Sequence, residues 1–244
     1  MADIKSEDVT YSAGGTTLKG FLAVDKARVG KRPGVIVVHE FWGVNDYMRR
    51  RARMLAELGY VALAADIYGE GKAATTPDKA MELMNGVLAN IAAGEERFAA
   101  AHVRLKAHPE VDPDRIAAIG YCFGGAMVLH AARIGTPLRG VVSFHGALGS
   151  FHKPAPGSVK AKVLVCHGAA DSLVPDADVA AFKQEMDTAE ADYRFVAYPG
   201  ALHSFTNPEA DDVAKRFGLP LAYSAAVDQR SWQDMQEFFA RIFA

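Results

Sequence analysis

The chain has 244 residues, of which 50% are hydrophobic, and a formal net charge of −2. This length and composition allow one large buried core, and the near-neutral charge gives no reason to expect nucleic acid or an anionic membrane as a partner. No apolar run is long enough to span a bilayer, and residues 1–7 lack the apolar region of a signal peptide. We therefore expect a cytoplasmic protein whose two cysteines are free thiols.

Strands and helices alternate along the sequence. A hairpin is predicted over residues 9–12 and 18–24, and further strands over 35–38, 60–65, 116–119, 140–144, 162–166 and 193–198. Helices are predicted over 46–58 with Asp46 as cap, 77–91, 95–107, 126–134 and 176–189 with Asp176 as cap, with a final apolar stripe over 232–242. Residues 112–114 read as a turn. The alternation predicts an α/β fold with a mostly parallel central sheet and helices on both faces, in one domain over residues 1–244.

One short stretch, Gly120–Gly125, places a single cysteine among glycines between a predicted strand and a predicted helix. That order indicates a nucleophile elbow, the G-x-S-x-G motif with Cys122 in place of serine. The glycines have a steric reason, because the turn strains its central residue and brings flanking positions too close for side chains. A glycine-rich turn around a structural cysteine is the alternative.

Other reactive side chains also follow predicted strands, namely Glu40, Asp171 and His203. Ligands of such sheets bind at the carboxyl ends of the strands. A thiolate needs help near neutrality, since free cysteine has a pKa of about 8.5; a histidine can take and return its proton, and a carboxylate can orient that histidine. The order Cys122, Asp171, His203 is the nucleophile–acid–base order of α/β-hydrolases. Taken singly, each residue could be an ordinary loop residue.

An oxyanion hole requires two hydrogen-bond donors. The Phe123 N–H at the start of the predicted helix is one candidate. The second is expected in the loop after strand 35–38, where we choose the Phe41 N–H. Glu40 lies beside it, and its alternative reading is a solvated loop carboxylate.

Four motifs together resemble the dienelactone hydrolases of the α/β-hydrolase superfamily: His39–Gly43, Gly120–Gly125, His167–Asp171 and His203–Phe205. The resemblance extends from about Val9 to the C-terminal helix. It implies a Cys–His–Asp triad that opens lactone and ester bonds through an acyl-enzyme thioester. It further implies that the glutamate at position 40 takes the cysteine proton when substrate arrives, and that no metal or organic cofactor is needed.

The sequence departs from this family where dienelactone-cleaving members grip the substrate carboxylate. One arginine is replaced by Asn207, and the region 77–83 offers Lys79 but no arginine. A tyrosine common in the pocket corresponds to His145. The candidate substrate-binding residues are Trp42, His145, Phe205 and Asn207. Phe123 is expected to line the pocket together with Trp42, His145 and Phe205, and ordinary core packing is the alternative for these four residues. We expect neutral small esters or lactones as substrates.

Other functions remain open or are disfavoured. A zinc hydrolase would need a second histidine where Gly43 stands, segment 69–72 lacks the spacing of a phosphate loop, and Cys122 and Cys166 do not form a C-x-x-C pair. A thioesterase or general carboxylesterase is the enzymatic alternative, and a non-catalytic binding module is the alternative from another class. The oligomeric state is left open as a monomer or a homodimer.

Overall fold

The computed structural model describes residues 2–244. Within this range the strands are β1 (Ile4–Ala13), β2 (Thr16–Asp25), β3 (Arg32–Val38), β4 (Val61–Ala65), β5 (Val111–Tyr121), β6 (Gly140–Phe144), β7 (Lys162–Gly168) and β8 (Tyr193–Tyr198). The helices are α1 (Asp46–Glu57), α2 (Pro77–Leu88), α3 (Ile91–Lys106), α4 (Phe123–Arg133), α5 (Asp176–Thr188), α6 (Ala210–Phe217) and α7 (Ala225–Ile242). The chain divides into two compact units, one ending at Ile119 and the other beginning at Gly120. A single domain over residues 1–244 stays a prediction.

The first unit contains strands in the order β1-β2-β4-β3-β5, with β5 included as far as Ile119. β1 and β2 form the predicted antiparallel hairpin, which turns at Gly14 and Gly15, both with positive φ. β2 pairs antiparallel with β4, whereas β3 and β4 run parallel. Residues 35–38 and 61–65 are completely buried, which explains why both segments are continuous apolar runs in the sequence.

The second unit contains three parallel neighbours, β6, β7 and β8. Helix α7 buries one face that includes Met235, Phe238, Phe239 and Ile242, so the apolar stripe predicted near the C-terminus is confirmed except at Trp232, which is only half-buried. Arg133 of this unit is buried, and its guanidinium nitrogen Nη2 lies 2.7 Å from Glu185 Oε2. This ion pair joins α4 to α5.

Two predicted helix caps are wrong by one residue. Helix α1 is capped by Asn45, whose Oδ1 accepts the Met48 N–H at 3.2 Å, and the N-cap of α5 is Pro175. Asp46 and Asp176 instead open the first turn of each helix. A carboxylate there is favoured by the positive end of the helix dipole, so it resembles a cap in sequence without being one.

Other segments also differ from their predictions. The helices predicted over 77–91 and 95–107 are α2, which ends at Leu88, and α3, which begins at Ile91, and the helix predicted from residue 126 begins at Phe123. Residues 112–114 belong to β5 rather than to a turn, although Asp112 Oδ1 does accept the Asp114 N–H at 3.1 Å as turn chemistry predicts. The eight-residue helix α6 was not predicted, and it ends at Gly218 with φ 67°. Among residues 2–244, no helix is long and apolar enough to cross a membrane.

Candidate active site

The elbow is the joint between β5 and α4. β5 ends at Tyr121 and α4 begins at Phe123, which leaves Cys122 alone between them with φ 54° and ψ −117°. Such a conformation costs a non-glycine residue about 1–3 kcal/mol and persists only where the surroundings fix it. Here the Cys122 N–H donates to Phe144 O at 3.1 Å, and the Cys122 carbonyl accepts the Ala126 N–H at 3.2 Å.

The glycines of the elbow are required by close approach. A Cβ on Gly120 would lie 2.0 Å from Gly124 O. A Cβ on Gly125 would lie 2.6 Å from Ser143 Oγ and 2.8 Å from Gly146 Cα. Real Cβ atoms are not found at these separations. The steric reason predicted for the glycines two positions either side of Cys122 therefore holds at Gly120, and Gly125, next to the second motif glycine, is packed as closely.

His203 and Asp171 form a close buried pair. The His203 Nδ1 lies 2.7 Å from Asp171 Oδ2, and the Asp171 side chain is completely shielded from solvent. The other carboxylate oxygen accepts the Leu173 N–H at 2.9 Å, so both oxygens of this buried group are satisfied. A carboxylate accepts hydrogen bonds only, so Nδ1 carries a proton and Nε2 is left for Cys122, with which His203 also hydrogen-bonds.

The electrostatics of this pair favour a charged imidazole. Burial by itself lowers the pKa of His203, but the Cys122 thiolate and the hydrogen bonds to Asp171 and Cys122 outweigh burial and raise it to about 10. His203 is therefore protonated at neutral pH. A cation beside a cysteine stabilises the thiolate, which is the nucleophilic form.

The loop that carries His203 is held on two sides. The His203 carbonyl accepts the Ala222 N–H at 3.2 Å, and the ring of His145 packs at 64° to the His203 ring with centroids 5.2 Å apart. His145 itself has φ 40°, and its Nε2 lies 2.7 Å from Thr206 Oγ1. The sequence pattern pointed to His145 but not to Thr206, which carries no motif of its own.

Two other candidates for substrate binding lie after His203. Phe205 is completely buried, with its ring 5.1 Å from that of His145 and 5.6 Å from that of Tyr198. Asn207 is 4% exposed, and its Oδ1 accepts the Glu209 N–H at 3.0 Å, so its side chain closes the turn that leads into α6. Contact of either residue with substrate stays a prediction.

The remaining candidates lie in the first unit, in the loop after β3. Glu40 is only 1% exposed and Trp42 is buried as well. The ring of Phe41 stacks at an angle on that of Trp42, with centroids 4.3 Å apart, and the Tyr68 hydroxyl donates to Phe41 O at 2.9 Å. Glu40 is thus a buried rather than a solvated loop carboxylate, while its role toward Cys122 stays a prediction.

A sequence model described as the dienelactone hydrolase family matches residues 18–243 of this chain. The chain belongs to the dienelactone hydrolase family. The resemblance seen in the four motifs is confirmed, and so is the α/β-hydrolase fold with its mostly parallel sheet. The family also shows that the protein is a carboxylic ester hydrolase.

Solved structures and curated relatives agree with the family. The chain is 38% identical to a dienelactone hydrolase-like promiscuous phosphotriesterase from metagenomic libraries, over 98% of both chains with a TM-score of 0.89. It is 40% identical to the protein m3DLH, over 99% of both chains with a TM-score of 0.92. A Salmonella typhimurium protein, provisionally named carboxymethylenebutenolidase, is 30% identical over 98% of this chain and 90% of its own length.

Proposed function

We propose that this dienelactone hydrolase family member cleaves small esters and lactones with Cys122 as nucleophile, His203 as general base and acid, and Asp171 as the carboxylate that orients His203. The observation that carries the proposal is His203, which hydrogen-bonds to Asp171 on one side and to the cysteine of a strained, glycine-flanked elbow on the other. This is the arrangement of an activated nucleophile.

Hydrolysis proceeds in two halves. The Cys122 sulfur attacks the carbonyl carbon, and the π electrons move to the oxygen, which the N–H groups of Phe123 and Phe41 hold as an oxyanion. Collapse of this intermediate breaks the C–O bond, and the leaving alkoxide takes a proton from His203. Water then attacks the thioester while His203 removes its proton. The acid leaves, and the thiolate and protonated His203 are restored.

Glu40 is proposed to control the ionisation of the nucleophile: in molecules in which Cys122 still holds its proton, Glu40 accepts that proton when substrate arrives and so forms the thiolate with which the cycle above begins. Support comes from the family motif His39–Gly43 and from the burial of Glu40, because a buried carboxylate must have a partner or exchange protons.

The substrates are proposed to be neutral. Bidentate contacts from arginine select carboxylates, and the two arginines used by dienelactone-cleaving members correspond here to Asn207 and to a region with only Lys79. The side chain of Asn207 is buried in its own turn, where it offers no positive charge.

Mass spectrometry with an activated aryl ester tests this proposal. We expect a mass increase equal to one acyl group, located on the peptide that contains Cys122, and product release that continues after the first turnover. A competition among aryl esters, lactones and acyl thioesters then separates an esterase from a thioesterase. Binding without turnover of every ester would identify a non-catalytic module and contradict the proposal.

Phosphotriesters are a second candidate substrate class. The support is the 38% identity, over 98% of both chains, to a protein named as a promiscuous phosphotriesterase. The same thiolate would attack phosphorus and expel an aryloxide. Release of nitrophenol from a dialkyl nitrophenyl phosphate by the wild type, and its loss in Cys122→Ala, is the expected result; no release above the uncatalysed rate would remove this class.

A further inference from the structure

His39 joins two loops of the first unit. In sequence His39 lies between the end of β3 and Glu40, and its side chain is completely buried. Nδ1 lies 2.6 Å from the carbonyl oxygen of Glu40, and Nε2 lies 3.3 Å from the backbone nitrogen of Ile67. The imidazole of His39 therefore ties the loop after β3 to the loop after β4, as the hydrogen bond from Tyr68 to Phe41 O also does.

The partners of His39 fix where its proton lies. The Ile67 N–H can only donate, so Nε2 has to be the bare nitrogen. The Glu40 carbonyl can only accept, so Nδ1 carries the hydrogen. Burial lowers the pKa of His39, so the ring is neutral and holds one proton, as this pattern requires.

The Nδ1–H bond acts on one particular peptide group. The carbonyl of Glu40 and the N–H of Phe41 belong to the same planar peptide, so fixing the oxygen also fixes the direction of the N–H. A hydrogen bond to the carbonyl oxygen further polarises the group and strengthens its N–H as a donor. We propose that His39 is a positioning residue that orients and polarises the Phe41 N–H, and this rests on the proposed function, in which that N–H stabilises the oxyanion.

The loop on the other side of His39 is itself firmly held. The Asp66 carboxylate accepts the N–H groups of Tyr68 at 3.0 Å, Gly69 at 2.8 Å and Gly71 at 2.8 Å. The Tyr68 ring lies 4.6 Å from the His39 ring, and its hydroxyl bonds the carbonyl of Phe41. The loop that bonds Nε2 of His39 is therefore fixed by hydrogen bonds of its own, and this keeps Nδ1 directed at the Glu40 carbonyl.

Replacing His39 by asparagine or by glutamine tests the roles of its two ring nitrogens separately. The asparagine amide reaches the position of Nδ1 and keeps a donor for Glu40 O, whereas the glutamine amide reaches the position of Nε2 and leaves Glu40 O without that donor. The three measurements are kcat and KM for an activated aryl ester, the inhibition constant of a trifluoromethyl ketone, whose adduct needs the oxyanion donors, and the rate of Cys122 alkylation by iodoacetamide, which forms no oxyanion.

We expect His39→Gln to lower kcat about 10- to 100-fold, below the ~10²–10³ seen when a donor is removed outright, because the Phe41 N–H is misaimed but present. The ketone should bind more weakly by a similar factor, while KM changes little. Alkylation should stay within about twofold of the wild type, and His39→Asn should keep kcat within about fivefold. His39→Asn and His39→Leu form a second pair that decides the question if His39→Gln does not fold.

Three results would overturn the inference. The first is a wild-type kcat in His39→Gln, and the second is an equal loss in His39→Gln and His39→Asn. The third is alkylation that falls in parallel with kcat, which would mean that His39 acts on the thiol or on the fold as a whole. A Cys122→Ala variant separates this failure from that of the proposed function. If Cys122→Ala still hydrolyses the ester, the proposed function fails; if it is inactive while His39→Gln has wild-type kcat, only the role of His39 fails.

Discussion

The two cysteines of the second unit stand in opposite environments. Cys122 is half-buried at the elbow, in a strained conformation, and hydrogen-bonds to the protonated His203. Cys166 is completely buried inside β7. Burial raises the pKa of the Cys166 thiol to about 12, even though the Tyr198 hydroxyl, 3.5 Å from its sulfur, acts in the opposite direction.

The difference shows that surroundings, not residue type, select the nucleophile. Around Cys166 the polar groups satisfy one another, since Tyr198 donates to Asp234 at 2.8 Å and Arg194 does the same at 2.8 Å. The Tyr198 hydroxyl and the Arg194 charge lower the pKa of Cys166, but burial outweighs both. At Cys122 the His203 cation and a strained backbone act on one sulfur. The predictions below, apart from the last one on substrate choice, test how that local arrangement makes a thiol reactive.

The largest effect is expected when each of the two cysteines is replaced in turn by alanine. Cys122→Ala should lower kcat/KM for an activated ester by at least about 10⁴-fold, because the covalent step is lost. Cys166→Ala should keep kcat/KM within about threefold and reduce only the thermal stability, as a buried side chain is shortened. Iodoacetamide should label Cys122 and inactivate the wild type, and chelators should have no effect. Loss of activity in Cys166→Ala alone would reverse the assignment.

Asp171→Asn should have the next largest effect. It keeps the shape of the side chain but offers an amide where His203 needs an acceptor, so the ring loses its orientation and tautomer. We expect kcat to fall about 10³–10⁴-fold with a small change in KM. Circular dichroism of the variant controls for folding. A kcat within tenfold of the wild type would mean that Asp171 only closes the turn in which it accepts the Leu173 N–H.

The charge state of His203 can be followed directly by NMR titration of its ring. The wild-type ring should keep imidazolium shifts through neutral pH and titrate near 10. Cys122→Ala and Asp171→Asn each remove a group that raises this pKa, so both should bring the titration down toward about 6.5. Titration of the wild-type ring near 6.5 would contradict the thiolate–imidazolium pair.

The raised pKa of His203 also predicts how the free energy of unfolding depends on pH. The folded-state pKa lies above the unfolded value, so the contribution of protonated His203 to the free energy of unfolding is fully present below about pH 6.5 and is lost as pH rises through about 10. The stability advantage of the wild type over Asp171→Asn should therefore shrink across this window, as measured by urea unfolding at a series of pH values.

The sequence was most informative where one physical factor dominates. Strands β6 and β8 have the predicted bounds, because each is a short run of mostly apolar or aromatic residues, with Ser143 and Arg194 as the polar members. The elbow motif is visible because the close approach of Gly124 leaves no room for a side chain at Gly120, the first glycine of the motif. Long-range partners were invisible. Thr206 meets His145 across 61 residues, and Tyr68 meets Phe41 across 27, and no local pattern marks either pair.

Glu40→Gln should have a smaller effect than the loss of a triad residue. It keeps the shape of a buried side chain and removes its charge and its basicity. We expect about a 10- to 100-fold loss in kcat/KM and a changed pH profile of acylation, as for a lost general base. The measurement is kcat/KM from pH 5 to 9 on the wild type and the variant. An unchanged rate and profile would reduce Glu40 to a structural carboxylate of the loop after β3.

The smallest effect concerns the choice of substrate. If the site lacks the arginines that grip a carboxylate, the wild type should prefer a neutral lactone methyl ester over the matching anionic lactone. Asn207→Arg should then recover about one power of ten in kcat/KM for the anion, since a charged hydrogen bond is worth about 1.5–3 kcal/mol, and should do little for the ester.

The position of Asn207 makes this a demanding test. The variant loses the bond from Asn207 Oδ1 to the Glu209 N–H, which should cost about 1 kcal/mol of stability, as for a lost cap. Asn207→Ala supplies the matched control, because it loses the same bond and gains no charge. A gain for the anion in Asn207→Arg but not in Asn207→Ala therefore reports the new cation alone. If the wild type already prefers the anion tenfold, another cation grips it, and Lys79, Lys72 and Arg49 are the residues to replace next.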